Sequence, residues 1–378
     1  MNRLIYADNA ATTRMDEDVV SAMIPYMHDL YGNASQPYFL GIKAKKAINA
    51  AREDIASCLG AFPEEIYFTS GGTESDNWAI KGSGDSSDHR IVITSCIEHH
   101  AVLNACADLP KCVTTIRLPV DKKGVVSCDD LKKSLESLRG KNESVLVSVM
   151  MANNEIGTIQ PIGELTRIAH SYGAVFHTDA VQAVGHVCCD VSSLGIDMLS
   201  ASAHKFNGPK GIGFLYVKKG TKIKPYINGG SQENGMRAGT ENVASIVGMA
   251  TALKLNVERL HQHEKYLLEL EEALLRNLRE AGIDFIRNGS ENHIPGNVNL
   301  SFSGCDGEML LHRLDLKGIC ISTGSACDSE NHQLSHVVKA INVNEKYAYG
   351  TIRISLGKNN SIQDVVTIAD EIVNVIRR

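Results

Sequence analysis

No stretch of the chain is apolar for long enough to serve as a signal-peptide core or a membrane span, and the opening MNRLIYADNAATT already carries Arg3 and Asp8. A cytoplasmic protein with no membrane partner is the resulting expectation. The ten cysteines, at 58, 96, 106, 112, 128, 188, 189, 305, 320 and 327, include no CxxC pair, which excludes a zinc ribbon or a redox dithiol. Most of them are expected to be buried apolar thiols. An excess of basic charge is lacking too: 38 basic against 44 acidic side chains give a net charge of −6, which argues against a nucleic-acid partner. There is no internal repeat and no low-complexity linker.

What is present is a 378-residue chain, 43% hydrophobic and 22% charged. That length predicts about two domains with ample core, and the composition excludes disorder and collagen-like repeats. Short β-branched runs alternate with helical stretches: Glu65–Ser70, Arg90–Ser95, Ser144–Met150, Ala174–Ala180, Met198–His204 and Gly213–Val217. Such alternation predicts an α/β fold with a mainly parallel, doubly covered sheet. Ile48, Ala51, Ile55 and Leu59 fall at helical spacing over Gly41–Leu59, with Gly60 as a cap. Ser245–Glu280 reads as a long or kinked helix joining two domains. Beyond it, a strand at Asn297–Phe302, a helix near Glu308–Leu316, another strand and a last helix at Ile362–Ile376 suit a smaller α+β domain. The boundaries are therefore 15–258 for a large domain and 259–378, with segment 1–14, for a small one.

Polar clusters fall at the C-terminal ends of the strand runs: TSGGTESDN, TSCIEHH, MMANNE, HTDAVQ and ASAHK. In an open parallel sheet those ends share the ligand-binding edge. Ser70-Gly71-Gly72-Thr73-Glu74 is either an ordinary capped turn or a phosphate cradle at a helix start. Asp179 and Lys205, 26 residues apart on neighbouring strand ends, form either a simple ion pair or the two ends of an aldehyde-cofactor site. In the second reading the lysine holds a Schiff base and the carboxylate keeps a pyridine nitrogen protonated. Glu98-His99-His100 is a poor metal site because adjacent side chains diverge; the alternatives are a packed histidine or an imidazole on a cofactor ring. His261 and His263 read as solvated. Cys327, in the small, polar segment TGSACDSE, is the best candidate for an exposed thiol, and as a nucleophile it must be ionised. Arg353 is a rim charge or a fork-shaped donor to a carboxylate.

Taken together, DNAATT (8–13), TSGGTESDN (69–77), EHHAV (98–102), NNEIG (153–157), HTDAVQ (177–182), SAHK (202–205), RAGTEN (237–242), STGSAC (322–327) and IRISLG (352–357) resemble the pyridoxal-phosphate-dependent cysteine desulfurases of the class V aminotransferase superfamily. The resemblance runs from end to end in consistent order, and the cysteine segment is similar to that of the branch with a long flexible loop. It implies the fold of type I pyridoxal-phosphate transferases, with a seven-stranded, mainly parallel sheet. Lys205 would be the Schiff-base lysine and proton shuttle, and Asp179 the partner of the pyridine nitrogen. Gln182 would bond the ring hydroxyl and His99 would lie on the ring. Gly72, Thr73, Ser202 and His204 would hold the phosphate, joined by Thr240 from the other subunit of a homodimer. Asn154 and Arg353 would grip the substrate carboxylate. Cys327 would take the sulfur as a persulfide and pass it to a protein acceptor in iron–sulfur cluster assembly or thiolation, with no metal site beyond a transient iron–sulfur contact at Cys327.

The chain departs from the family pattern at Arg14, Tyr38, Asn234 and Asp328, the last placing an acid next to the thiol, which raises its pKa. The resemblance thus implies conversion of L-cysteine to L-alanine. The alternatives are selenocysteine lyase activity, a pyridoxal reaction in which Cys327 is a bystander, and a sulfur-relay or scaffold subunit without catalysis.

Overall fold

The computed structural model describes residues 3–84, 90–139, 144–323 and 334–377. Twelve strands follow one another as β1 (Ile5–Tyr6), β2 (Ile66–Thr69), β3 (Arg90–Ser95), β4 (Val113–Leu118), β5 (Ser144–Ser148), β6 (Val175–Asp179), β7 (Met198–Ser202), β8 (Gly213–Val217), β9 (Phe285–Asn288), β10 (Asn297–Phe302), β11 (Ile319–Cys320) and β12 (Thr351–Ser355). Seven form one sheet in the order β2-β8-β7-β6-β5-β3-β4. Only β8 runs against its neighbours, β2 and β7. The C-terminal ends of β2, β3, β5, β6 and β7 therefore lie along one edge, and the polar clusters that follow these strands meet there. The central strands are buried on both faces, which is why they read as near-continuous apolar runs. The seventh strand, β4, is absent from the apolar runs because an edge strand with a half-exposed face, VTTIRL, has no such run.

Helices α1 (Glu17–His28), α2 (Phe39–Leu59), α3 (Gly72–Gly82) and α4 (His100–Ala107) flank the sheet with others. Gly60 closes α2 in the left-handed conformation, φ 66°, as its position past Leu59 predicts. The long helical stretch is two helices, Val243–Glu258 and Leu260–Glu280, meeting at Arg259, whose φ of −107° breaks the regular ladder.

Beyond that break, β12-β10-β9 form an antiparallel sheet, and β1 pairs in parallel with β11. Among the described residues the apolar side chains form separate clusters: two draw on the strands of the large sheet, one with Ile93, Val147 and Leu199 and one with Val92, Leu146 and Met198, and another joins Ile5 and Ala7 to Leu270, Leu300, Ile352 and Ile372. The first residues of the chain thus pack with its last hundred. The helices Gly307–Asp315 and Ile362–Ile376 fall where the periodicity puts them.

The expectation of mostly buried thiols is corrected. Among the described cysteines only Cys106 and Cys189 are buried; Cys58, Cys96, Cys128, Cys305 and Cys320 are half-buried, and Cys112 and Cys188 are exposed. A cysteine is small enough to sit at the border of an amphipathic face, so its apolar character does not force it inward. His261 is exposed as expected, but His263 is half-buried, and burial together with Lys358 and Arg259 lowers its pKa.

Candidate active site

A cavity of about 590 Å³ opens at the sheet edge. Gly72, Thr73, His99, Asn154, Asp179, Gln182, Ser202, His204, Lys205 and Arg353 all line it. Thr240 does not: it is exposed on the surface of its own chain. Cys327 and Asp328 lie outside the described residues, between Thr323, which lines the cavity, and Leu334.

The floor is built by strand ends. Asp179, the last residue of β6, is 4% exposed, and its Oδ1 accepts the Val181 N–H at 2.9 Å. Burial raises its pKa, while His99 and Lys205 pull it down. His99 caps α4: its Nδ1 accepts the Ala101 N–H at 3.1 Å. Burial lowers its pKa, and a neutral ring that accepts at Nδ1 carries its proton on Nε2. His204 is held near pKa 4 by burial, with Lys205 and Lys210 adding to the effect. Its Nδ1 lies 3.1 Å from Thr12 Oγ1. Lys205 ends the short turn after β7, and its Nζ donates to the carbonyls of Ala10 (2.6 Å) and Ala11 (2.9 Å). Gln182 Nε2 donates to the same Ala10 oxygen at 2.9 Å. Of the two readings of Asp179 and Lys205, the simple ion pair is not seen among the described residues; Lys205 Nζ donates to main-chain oxygens.

At one wall the chain leaves β2 through Gly71, whose φ of 152° only glycine adopts freely. The first intrahelical bond of α3 runs from Ser75 N–H to Gly71 O, so the N–H groups of Gly72, Thr73 and Glu74 belong to an open helix start, where the dipole favours an anion. The residue at the cap is Gly71 rather than a serine or threonine. A Cβ on Gly72 would lie 2.5 Å from Val181 Cγ2, so that wall is built for a backbone without side chains. Glu74 pairs with Arg237 at 2.8 Å. Burial pushes its carboxyl up, but the bonds from Arg237 and Ser70 outweigh this and hold it below its ordinary value. The pair fixes the 237–242 segment, with exposed Thr240, beside the helix start. Asn234, where the family pattern has another residue, is left-handed at φ 58°, a conformation that asparagine tolerates better than most. Arg14 and Tyr38 are exposed and outside the cavity.

On the opposite wall Arg353, on β12, donates from Nη1 to the Asn154 carbonyl (2.9 Å) and from Nη2 to Asp8 Oδ1 (2.7 Å). Its Nε is buried with no hydrogen-bond partner among the described residues.

Two further buried acids lie close by: Asp76, which also lines the cavity, and Glu98, which does not. Glu98 takes the Ser95 hydroxyl (2.5 Å) and the Met150 N–H (3.0 Å), yet burial carries it to about 8. Asp76 is 1% exposed, its Oδ1 has no hydrogen bond among the described residues, and burial raises its pKa well above the ordinary value. His177 stands on β6 between Ser148 (2.9 Å) and Ser200 (3.0 Å), held neutral by burial with a pKa of about 3. The sequence reading left out Asp8, the Ala10 and Ala11 carbonyls and Asp76. The motifs DNAATT and TESDN hold them all, but nothing in either motif says which atom turns inward. Among the described residues no group of three or more His, Cys, Asp or Glu side chains is placed to hold a metal ion.

The Aminotransferase class-V family model matches residues 5–368. The chain is 47% identical to "Cysteine desulfurase IscS" of Dictyoglomus turgidum over 382 residues, covering 100% of this chain and 96% of that protein. It is 46% identical to the protein of that name from Methanosarcina thermophila, covering 100% and 93%. Among solved structures, a NifS-like protein superposes with a TM-score of 0.92 at 38% identity, over 99% of this chain and 100% of that one. A structure described as SspA in complex with cysteine gives 0.80 at 35%, over 94% and 100%. Full-length identity of this order, with the same fold, means that the chain belongs to the class V aminotransferases, in the cysteine desulfurase family.

Proposed function

We propose that the protein is a homodimeric, pyridoxal-phosphate-dependent cysteine desulfurase that converts L-cysteine to L-alanine and carries the sulfur away as a persulfide on Cys327. The observation that carries this reading is the convergence of Lys205, Asp179 and His99 with Arg353 on one cavity. The donor set fits the cofactor: the Lys205 amine, the buried Asp179 carboxylate, and an open helix start walled by glycines. Pyridoxal phosphate, when bound, supplies an aldehyde that condenses with amines and a protonated ring that draws electrons from the substrate Cα.

Around it the chain's own groups divide the work. Lys205 provides the amine and then moves the Cα proton; the Ala10 and Ala11 carbonyls receive its ammonium when it is not covalently engaged. Asp179, buried at the end of β6, holds the proton on the pyridine nitrogen. Gln182 offers its amide to the ring hydroxyl, and His99, neutral with Nε2–H facing the site, relays protons. Gly72, Thr73, Ser202 and His204 receive the phosphate, with Thr240 supplied by the partner subunit. Arg353 and Asn154 receive the substrate carboxylate. Cys327 contributes the thiolate that forms a bond to the substrate sulfur as the sulfur–carbon bond breaks.

The homodimer is supported by an exposed apolar face on α1, Val20, Ile24 and Met27 at helical spacing, continued by Tyr31, Phe39 and Ile42. The division into domains 15–258 and 259–378 with 1–14 is supported by the apolar cluster that joins Ile5 and Ala7 to Leu270, Leu300, Ile352 and Ile372. The acceptor is a scaffold or thiolation protein, and the cytoplasm is the compartment; among the described residues no helix is long and apolar enough to cross a membrane.

The test is alanine formation from L-cysteine, with reductant present, by the parent and by Cys327→Ala. Alanine from the parent alone supports the persulfide route. Turnover indifferent to the substitution overturns it.

A further inference from the structure

Arg353 has five N–H donors, and two are committed inside the protein, one to the Asn154 carbonyl and one to Asp8. The guanidinium lines the cavity and its side chain is 6% exposed; Asp8 does not line the cavity and is 19% exposed. The carboxylate therefore stands behind the arginine. It is also rigidly placed. Asp8 bridges to Ser355, Asn9 N–H donates to Ser355 O at 3.1 Å, and Ser355 N–H donates to Ala7 O at 2.8 Å. The Tyr6 hydroxyl reaches both the Asp8 carbonyl (3.0 Å) and the Thr12 carbonyl (2.7 Å), closing the turn from below.

A long arginine side chain loses much rotamer freedom when it is fixed. Two anchors on opposite nitrogens, one of them charged, bear that cost before substrate arrives. The hydrogens on the two terminal nitrogens that these anchors do not use are then left for an incoming carboxylate on the cavity side. We infer that Asp8 is a positioning residue for the substrate carboxylate: it holds Arg353 in the binding orientation from outside the cavity. This rests on the reading of Arg353 as the carboxylate anchor. The opposite possibility, that Asp8 competes for the arginine as an internal substitute for substrate, is disfavoured by its place outside the cavity wall.

The experiment uses the cofactor-loaded enzyme with Asp8→Ala, Asp8→Asn and Arg353→Lys. The KM for L-cysteine is measured together with the Kd for L-alanine, a carboxylate without sulfur, by spectral titration. A lost charge-assisted hydrogen bond is worth about a tenfold change or more. Asp8→Ala is expected to raise both KM and Kd about tenfold, with the loss falling mainly on KM rather than kcat. Asp8→Asn, which keeps the shape and one acceptor oxygen, is expected to recover part of it. A merely structural role would lower thermal stability without this split. If Arg353→Lys raises KM and Kd while neither Asp8 variant does, or if Asp8→Ala lowers KM, the positioning role is overturned and the anchor reading stands. If Arg353→Lys changes neither, both fall.

Discussion

Arg353 and Ser322 exchange both main-chain hydrogen bonds, at 2.7 and 3.0 Å. The strand that presents the guanidinium to the cavity is thereby paired with the chain two residues before the segment that bears Cys327. On the far side of that segment, the Ser335 hydroxyl donates to Glu155 Oε2 at 2.6 Å, and His336 Nε2 donates to the Glu98 carbonyl at 3.0 Å. Glu155 adjoins Asn154 and Glu98 adjoins His99. Both ends of the cysteine segment are thus tied to neighbours of the groups proposed to handle the substrate.

Replacing Lys205 by alanine removes the amine that donates to the Ala10 and Ala11 carbonyls. Alanine formation is expected to fall by about a thousandfold or more, the range associated with losing a positioned acid–base group. Pyridoxal phosphate would then be held by non-covalent contacts alone. Gel filtration followed by an absorbance scan would show its loss from the variant and not from the parent.

Glu98→Gln tests the buried acid behind His99. A glutamic acid with a folded pKa of about 8, against 4.5 ordinarily, keeps its proton in the folded state while the unfolded chain releases it. Its contribution is complete below pH 4.5 and is lost as pH rises towards 8, by up to about 1.4 kcal/mol per pH unit. Urea unfolding of parent and variant between pH 5 and about 8 checks this. The stability of the parent relative to Glu98→Gln should decline steadily as pH rises, and a pH-independent difference would contradict it.

Gly213→Ala probes how closely β8 approaches the phosphate-side turn. A Cβ there would run into the Ala201 carbonyl oxygen and lie 2.7 Å from Gly71 Cα, both main-chain atoms that cannot rotate away. Overpacking of this kind costs about 1–3 kcal/mol. Because the displaced atoms belong to the turn ahead of Gly72 and Thr73, affinity for pyridoxal phosphate should fall along with the melting temperature. A variant with a lower melting temperature and unchanged cofactor affinity would separate the two.

Much of this molecule was legible before any coordinates. Alternating apolar runs and helical periods located six strands of the large sheet, the capped end of α2 and the last helix, because burial on both faces leaves an unbroken apolar signature that survives in one dimension. The clusters after those strands named Lys205, Asp179 and His99, because in a parallel sheet the strand order alone sends every C-terminal end to one edge; Arg353 was named apart from them, on the strand pattern TIRIS. The sequence could not place the exposed edge strand β4, whose polar face carries no signature. Nor could it say that Lys205 turns to Ala10 and Ala11 rather than to Asp179, or that Asp8 stands behind Arg353 at a sequence distance of 345 residues. Those partnerships depend on the first residues of the chain crossing back to pair with β11 and β12. Such contacts are made by main-chain atoms and by side chains brought together from opposite ends of the chain. Their geometry exists only once both cores have closed.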